Sequence, residues 1–330
     1  MSVTSDQSPT RQARGLSLGG LLRNEQIFLI ILLAVLIVGL SLAAPRFMTA
    51  ENATAILHQS AMVLIVAVGM TMLLITAEVD ISVGASLAFA SCVVMDVINT
   101  TSSLTLGILA GLAFGGGVGL FNGLVVTRLK VNSLIATIAT MMILQGGVFL
   151  YTREAVQNHH QIEAFSLIAT GYVGPVPVPV IIAALLAVVF YVMLNYTLIG
   201  RRVFAVGSNP KAARLSGLSP ETIKLVAFVV TGILVGVAAT ILASLLNAGQ
   251  PTAGRGFELI VIAAVLLGGT SLFGGKGTIA GTILGVLILK IIDNGIIILR
   301  WNQDLQIIVP GVVIILAMFL DQLRKGRTDG

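Results

Sequence analysis

Two carboxylates stand one residue apart in Thr76-Ala77-Glu78-Val79-Asp80-Ile81-Ser82, with long apolar runs on both sides. An acid at that depth must be paired, neutralised or set beside a cavity, because hydrocarbon gives an ion no solvation. Two roles fit. If the preceding helix stops near Ile75, Asp80 or Ser82 caps the next one, and the acids meet the positive end of its dipole. If the segment lies deeper, Glu78 and Asp80 can hold a proton, an ion or the hydroxyls of a polar solute. The structural cap is the simpler reading. Lys290 and Asp293 make a second charged pair, three residues apart on one helix face beside Asn294, and can neutralise each other. Asn122, Gln145, Asn247 and Gln250 add neutral donors and acceptors within or at the ends of apolar runs. With Asp80 they form a candidate lining for a path, although helix–helix contacts use the same groups.

Other chemistries fail on spacing. The stretch GGTSLFGGKGT (268–278) has the look of a phosphate-cradling loop, but Gly277 follows Lys276 and Thr270 occupies the first glycine position. No nucleotide site is expected on this chain, and the glycines suit a sharp turn instead. His159 and His160 are adjacent, yet no third ligand lies nearby, so no metal site is expected. The remaining histidine, His58, has no nucleophile motif around it, and no hydrolase is supported. Cys92 is the sole cysteine, so there is no disulfide framework.

The elements that position these residues are helices in a bilayer. Only 10% of the 330 residues are charged, 56% are hydrophobic and mean hydropathy is +1.03. Soluble domains carry roughly 25% charge. The chain is therefore read as all-α and polytopic. Ten transmembrane helices are expected at 27–44, 55–75, 83–98, 104–127, 133–151, 180–196, 223–247, 258–270, 278–299 and 305–320. The runs at 83–98, 180–196, 258–270 and 305–320 are short for a bilayer, which implies tilt, a break or borrowed flanking residues. The first run, with basic residues before it and Ser41 to Ala43 near its end, also has the pattern of a secretion signal. Its length and the spans that follow favour an uncleaved helix. A polar tail (1–26), a transmembrane domain (27–320) and a short second tail (321–330) result. Thirteen Lys and Arg residues then fall on the side of both termini and four on the other, which makes both termini cytoplasmic. Basic residues beside spans read as a topology signal, not a nucleic-acid face. The 152–179 loop, with Pro175, Pro177 and Pro179, is expected to be stiff and extended.

Gly111, Gly115, Gly119 and Gly123 repeat at four-residue intervals on one helix face, as do Gly277, Gly281 and Gly285, and Gly232 with Gly236. Such steps let helix backbones approach in a medium that supplies no hydrophobic drive. A weak repeat at an offset of 192 would lay VGASLA (83–88) over GKGTIA (275–280), marking two interrupted helices.

The longest polar and basic cluster is GRRVFAVGSNPKAARLSGL, from Gly200 to Leu218. Asn209 and Pro210 read as N-cap and first helical residue, and Gly217 as the stop, so a short helix is expected over Lys211 to Leu215. With nothing to bury in lipid, it is suited to be gripped by another protein. This stretch resembles the loop by which permease subunits of ribose-type ABC sugar importers engage their ATPase. LLITAEVDISVGAS (73–86), LKVNSLIATIATMMILQGG (129–147) and GQPTAGRGFELIVIAAVLLGGTSLFGGKGTIAG (249–281) match the same family in the same order. The commoner form of the first has two glycines where Ala77 and Glu78 stand; Asp80 and Gly84 are the matches.

The resemblance implies a multi-pass permease of the bacterial inner membrane, moving a pentose or related small sugar or polyol. It implies three partners: a second permease subunit, a cytoplasmic ATPase that holds the ATP and Mg²⁺, and a periplasmic sugar-binding protein. No cofactor and no catalytic residue is expected on this chain. ATPase coupling would fall within 197–222, to Gly200, Arg201, Asn209, Ala212, Ala213, Arg214, Leu215 and Gly217, with both alanines small because the partner packs on them. The rival is an ion-coupled secondary transporter using Glu78 and Asp80.

Overall fold

The computed structural model describes residues 25–160 and 162–325, so most of the 1–26 tail and positions 326–330 lie outside the described residues. The described chain forms thirteen α-helices and four two-residue strands. In chain order the helices are α1 (Glu25–Ala43), α2 (Ala50–Ile75), α3 (Val83–Thr101), α4 (Leu104–Thr127), α5 (Ser133–Tyr151), α6 (Glu163–Thr170), α7 (Val178–Tyr196), α8 (Leu198–Ser208), α9 (Pro210–Leu215), α10 (Pro220–Leu246), α11 (Phe257–Leu267), α12 (Ile279–Ile298) and α13 (Leu305–Lys325). Eight of these, α1 to α5, α7, α10 and α12, are long and apolar enough to cross a membrane; α11 and the apolar part of α13 are shorter. The ten expected spans thus correspond to ten helices. α13 continues to Lys325, past the expected end at 320.

α2 is the central helix. Ile65 to Ile75 are all buried, as befits a run that is apolar on every side. α10, α7, α11 and α12 surround it, and Thr71 and Thr282 share a 2.6 Å hydroxyl contact between α2 and α12. Side-chain caps fix the helix starts. Thr49 accepts from the amide of Asn52, Ser103 from Leu106, Asn132 from Leu134 and Thr278 from Gly281.

The tightest interface is between the antiparallel α4 and α10. Gly111 meets Gly236, Gly115 meets Gly232, Gly119 meets the carbonyl of Phe228, and Gly123 meets Leu225. A Cβ at 115, 119 or 123 would overlap α10, and one at 111 would overlap Val94 of α3. Close approach of this kind gathers many dispersion contacts, which hold helices together in lipid.

Two sequence expectations change, and one element is added. The proline-rich 152–179 segment is not extended: it holds α6 and a hairpin of β2 (Tyr172–Val173) with β3 (Val176–Pro177) turning at Gly174, φ +61°. Pro179 then lies in the first turn of α7, where its missing N–H costs nothing. The offset of 192 puts Gly275 opposite Val83, but α12 begins only at Ile279, so the two helix starts are out of register. A further helix, α8, occupies a stretch with no apolar run to announce it.

Candidate functional site

The basic stretch forms a pair of helices at one end of the bundle. The hydroxyl of Thr197 accepts the amide of Gly200, and the Cα of Gly200 lies on the Leu194 carbonyl, so α8 doubles back sharply from α7. Val203, Val206 and Gly207 face inward; Arg201 and Arg202 are exposed. Gly207 rests on the backbone of Ile75, and the amide of Gly275 donates to the Ile75 oxygen at 2.9 Å. α8 is therefore braced, backbone to backbone, against the end of α2 and the 268–278 turn.

α9 follows after a one-residue break. The Asn209 side chain accepts from the amide of Ala212 at 3.0 Å, and Gly217, φ +81°, ends the helix as the amide of Leu218 returns to the Ala213 carbonyl. Leu215 is 91% exposed, with Lys211, Ala212 and Arg214 also on the surface. Ala213 is only 5% exposed. Its small size is thus explained inside this chain, and of the two alanines only Ala212 is presented outward. Arg214 pairs with Glu221 at the start of α10.

The two acids of the 76–82 segment have different surroundings. Ala77 adopts φ +63°, the left-handed conformation that lets the chain leave α2. Glu78 accepts an ion pair from Lys224 of α10 at 2.5 Å. Beyond it the segment hangs on α5: the amide of Val79 donates to Ser133 Oγ and that of Ile81 to Thr137 Oγ1. Asp80 is 2% exposed and fully used. Its Oδ1 accepts from the amide (2.8 Å) and hydroxyl (2.6 Å) of Ser82, and its Oδ2 from Asn122 Nδ2 (3.2 Å). Asn122 also donates to Ser82 Oγ, and its Oδ1 accepts from the Thr140 hydroxyl at 2.6 Å. Ser82 stands at the N-cap position of α3, but no side chain caps that helix. Asp80 instead braces the turn before it, so the expected helix cap is replaced by a knot joining the 76–82 segment, α4 and α5.

α3 begins inside the fold, and its start meets that of α11. Gly84 lies against the carbonyl of Gly254 and the carboxylate of Glu258. Beside this crossing is a cavity of ≈ 100 Å³, whose walls include Gly84, Ala88, Gln145, Phe149, Pro251 and Arg255.

Of the residues expected along a path, Gln145 lines this cavity, and Gln250 adjoins it, its backbone N–H donating to Ser91 Oγ. Asp80 and Asn122 are spent on each other. Asn247, φ +51°, ends α10 and accepts from Asn158 in the 152–177 connection. Lys290 pairs with Asp293 at 2.9 Å, and Asn294 exchanges amide hydrogen bonds with Asn52 of α2. His160 bonds the Asn99 carbonyl at the end of α3. Arg255, Glu258, Thr140 and Lys224 enter the site from the structure alone. A charge in GQPTAGRGFE, between two helices, was the available signal for the first two.

The family described as "Branched-chain amino acid transport system / permease component" matches residues 52–318. The ribose import permease RbsC of Escherichia coli K12 is 38% identical over 304 residues, covering 91% of this chain and 94% of that protein. RbsC of Bacillus subtilis 168 is 38% identical over 324 residues, 98% of this chain and all of the relative. The L-arabinose ABC transporter permease AraH of Azospirillum brasilense is 36% identical over 299 residues, 91% of this chain and 88% of its own. No solved structure matches the chain.

Proposed function

Since the chain belongs to this family of transport-system permeases, and is a multi-pass protein of the bacterial inner membrane, we propose that it is the translocating subunit of an ATP-driven importer for a small sugar or polyol. The relatives are named for ribose and L-arabinose, and a pentose is the substrate class we assign. ATP and Mg²⁺ sit on a cytoplasmic ATPase subunit, the sugar arrives on a periplasmic binding protein, and a second permease subunit completes the path. Both termini and the α8–α9 pair are cytoplasmic.

The observation that carries the reading is α9 itself: a capped helix with an apolar residue, Leu215, 91% exposed among basic neighbours and braced from below by α8. A lone surface loop needs neither cap nor brace. In the mechanism we assign, closure of the ATPase pushes on α8–α9, and the backbone contacts at Gly207, Ile75 and Gly275 carry that push to α2 and the 268–278 turn. The bundle then changes access by a bistable shift of packed helices. The sugar passes the cavity beside Gln145 and Arg255, whose amide and guanidinium suit hydroxyl groups.

The rival ion-coupled reading asks Glu78 or Asp80 to take up and release a cation. Glu78 already holds Lys224, and both Asp80 oxygens accept hydrogen bonds, so neither is disposed to do so. The deciding experiment is Leu215→Glu. The variant should insert at normal levels, yet the partner ATPase should no longer co-purify and uptake should stop. Retention of both would remove α9 from the docking role.

A further inference from the structure

Two of the three ion pairs among the described residues meet on the first two turns of α10. Glu221, its second residue, holds exposed Arg214 of α9. Lys224 stands three residues on, hence on the same face, and holds Glu78. The outer pair is open to water; the inner one is sheltered, its side chains 21% and 10% exposed. Charge thus alternates along a line from the docking helix to the 76–82 segment: Arg214, Glu221, Lys224, Glu78.

The position of Glu78 in the chain gives this line an endpoint. Two residues later Asp80 makes the knot with Ser82 and Asn122, and Val83 begins α3, whose Gly84 lines the cavity. Among the described residues, the Glu78–Lys224 bond is the one side-chain hydrogen bond joining the 76–82 segment to α10. The backbone junction at Gly207 reaches α2 and the 268–278 turn, but it does not reach α3 directly.

We propose that Glu78 and Lys224 are a positioning pair that passes displacement of the docking segment to α3 and the cavity, an inference that rests on the ATP-driven permease reading. Neither residue touches sugar or nucleotide. An ion pair suits the task better than a neutral hydrogen bond, because charge assistance strengthens it and shelter from water reduces its screening. The lysine stem lets the two elements rotate while they stay attached. The pair opposes no free charge elsewhere in the segment, since Asp80 is occupied within its own knot.

The test uses the whole complex with its ATPase in proteoliposomes, measuring uptake, ATP hydrolysis and ATPase co-purification for E78Q, K224M and the exchange E78K/K224E. Both single variants should keep the ATPase and hydrolyse ATP, while sugar moved per ATP falls by about tenfold, within the span usual for coupling between sites. The exchange should recover most of that loss. The double neutral E78Q/K224M leaves no buried charge unpaired, and it keeps the test readable if a single variant fails to insert. An unchanged uptake-to-ATP ratio, or an exchange no better than the single variants, would overturn the inference alone. A wild-type complex that moves sugar without hydrolysing ATP would overturn the permease reading and this pair's role with it.

Discussion

Gly207 of α8 lies with its Cα against the carbonyl oxygen of Ile75, the last residue of α2, and that oxygen also accepts the amide of Gly275. One backbone atom therefore joins three segments. A methyl group at 207 has no room, and the obstacle is backbone that cannot rotate aside. Gly207→Ala should cost about 1–3 kcal/mol, the usual range for overpacking a closely fitted site. Thermal unfolding of the purified protein measures it, and uptake should fall with it. Unaltered stability would show that α8 is free to lift away from α2.

Asp80→Asn tests the knot. Both carboxylate oxygens accept, and an amide offers only one acceptor. Whichever way Asn is turned, its Nδ2 faces a donor, either Ser82 N–H or Asn122 Nδ2. Flipping Asn122 relieves that clash only if Thr140 turns its hydroxyl to the Ala136 carbonyl, and it costs Ser82 Oγ its donor. The loss should be about 1–3 kcal/mol, typical for a buried unsatisfied donor. Had Asp80 been an exposed helix cap, Asn would have served nearly as well. Near-wild-type stability and uptake in the Asn variant would restore the cap reading.

Gly115→Leu and Gly117→Leu form a matched pair on α4. A Cβ at 115 meets the carbonyl of Gly232, whereas nothing lies within 4 Å of one at 117. The first should abolish normal membrane levels and the second should leave them unchanged. Equal behaviour of the two, judged by quantitative immunoblot of membranes, would contradict the α4–α10 interface.

Features written in contiguous residues were the legible ones. The helix steps at Gly111 to Gly123 and the Asn209–Pro210 start with the Gly217 stop need only local spacing, and the structure shows helices with those features. α8 was not legible, because Arg201, Arg202, Gly200 and Gly207 break its apolar pattern and its burial is supplied by α2 from far along the chain. The Asp80–Asn122–Thr140 knot and the Glu78–Lys224 pair were hidden for the same reason. Each polar side chain could be flagged as costly in lipid, but its partner is chosen by packing and not by spacing. Ala213 shows the converse error: a small residue on a short helix invites a partner surface, and here the surface is the protein's own.

Topology has a direct check. In a Cys92→Ala background, cysteine at Lys211 should be shielded from an impermeant maleimide outside intact cells, while cysteine at His159 should react. Labelling at 211 from outside would place α8 and α9 on the wrong side for any ATPase.

The glycine contacts between α4 and α10 also govern how the molecule can move. Because they recur at each turn from Gly111 to Gly123, intermediate offsets would drive larger side chains into opposing carbonyls. Only shifts of a whole glycine step, four residues or about 6 Å, would restore the fit. Sliding along this seam is therefore quantised, and small motions are forbidden to it. Spin labels at Phe121 and Val226, exposed positions on α4 and α10, should give one narrow separation throughout the transport cycle. That pair supplies a fixed ruler, against which the travel of every other helix can be measured.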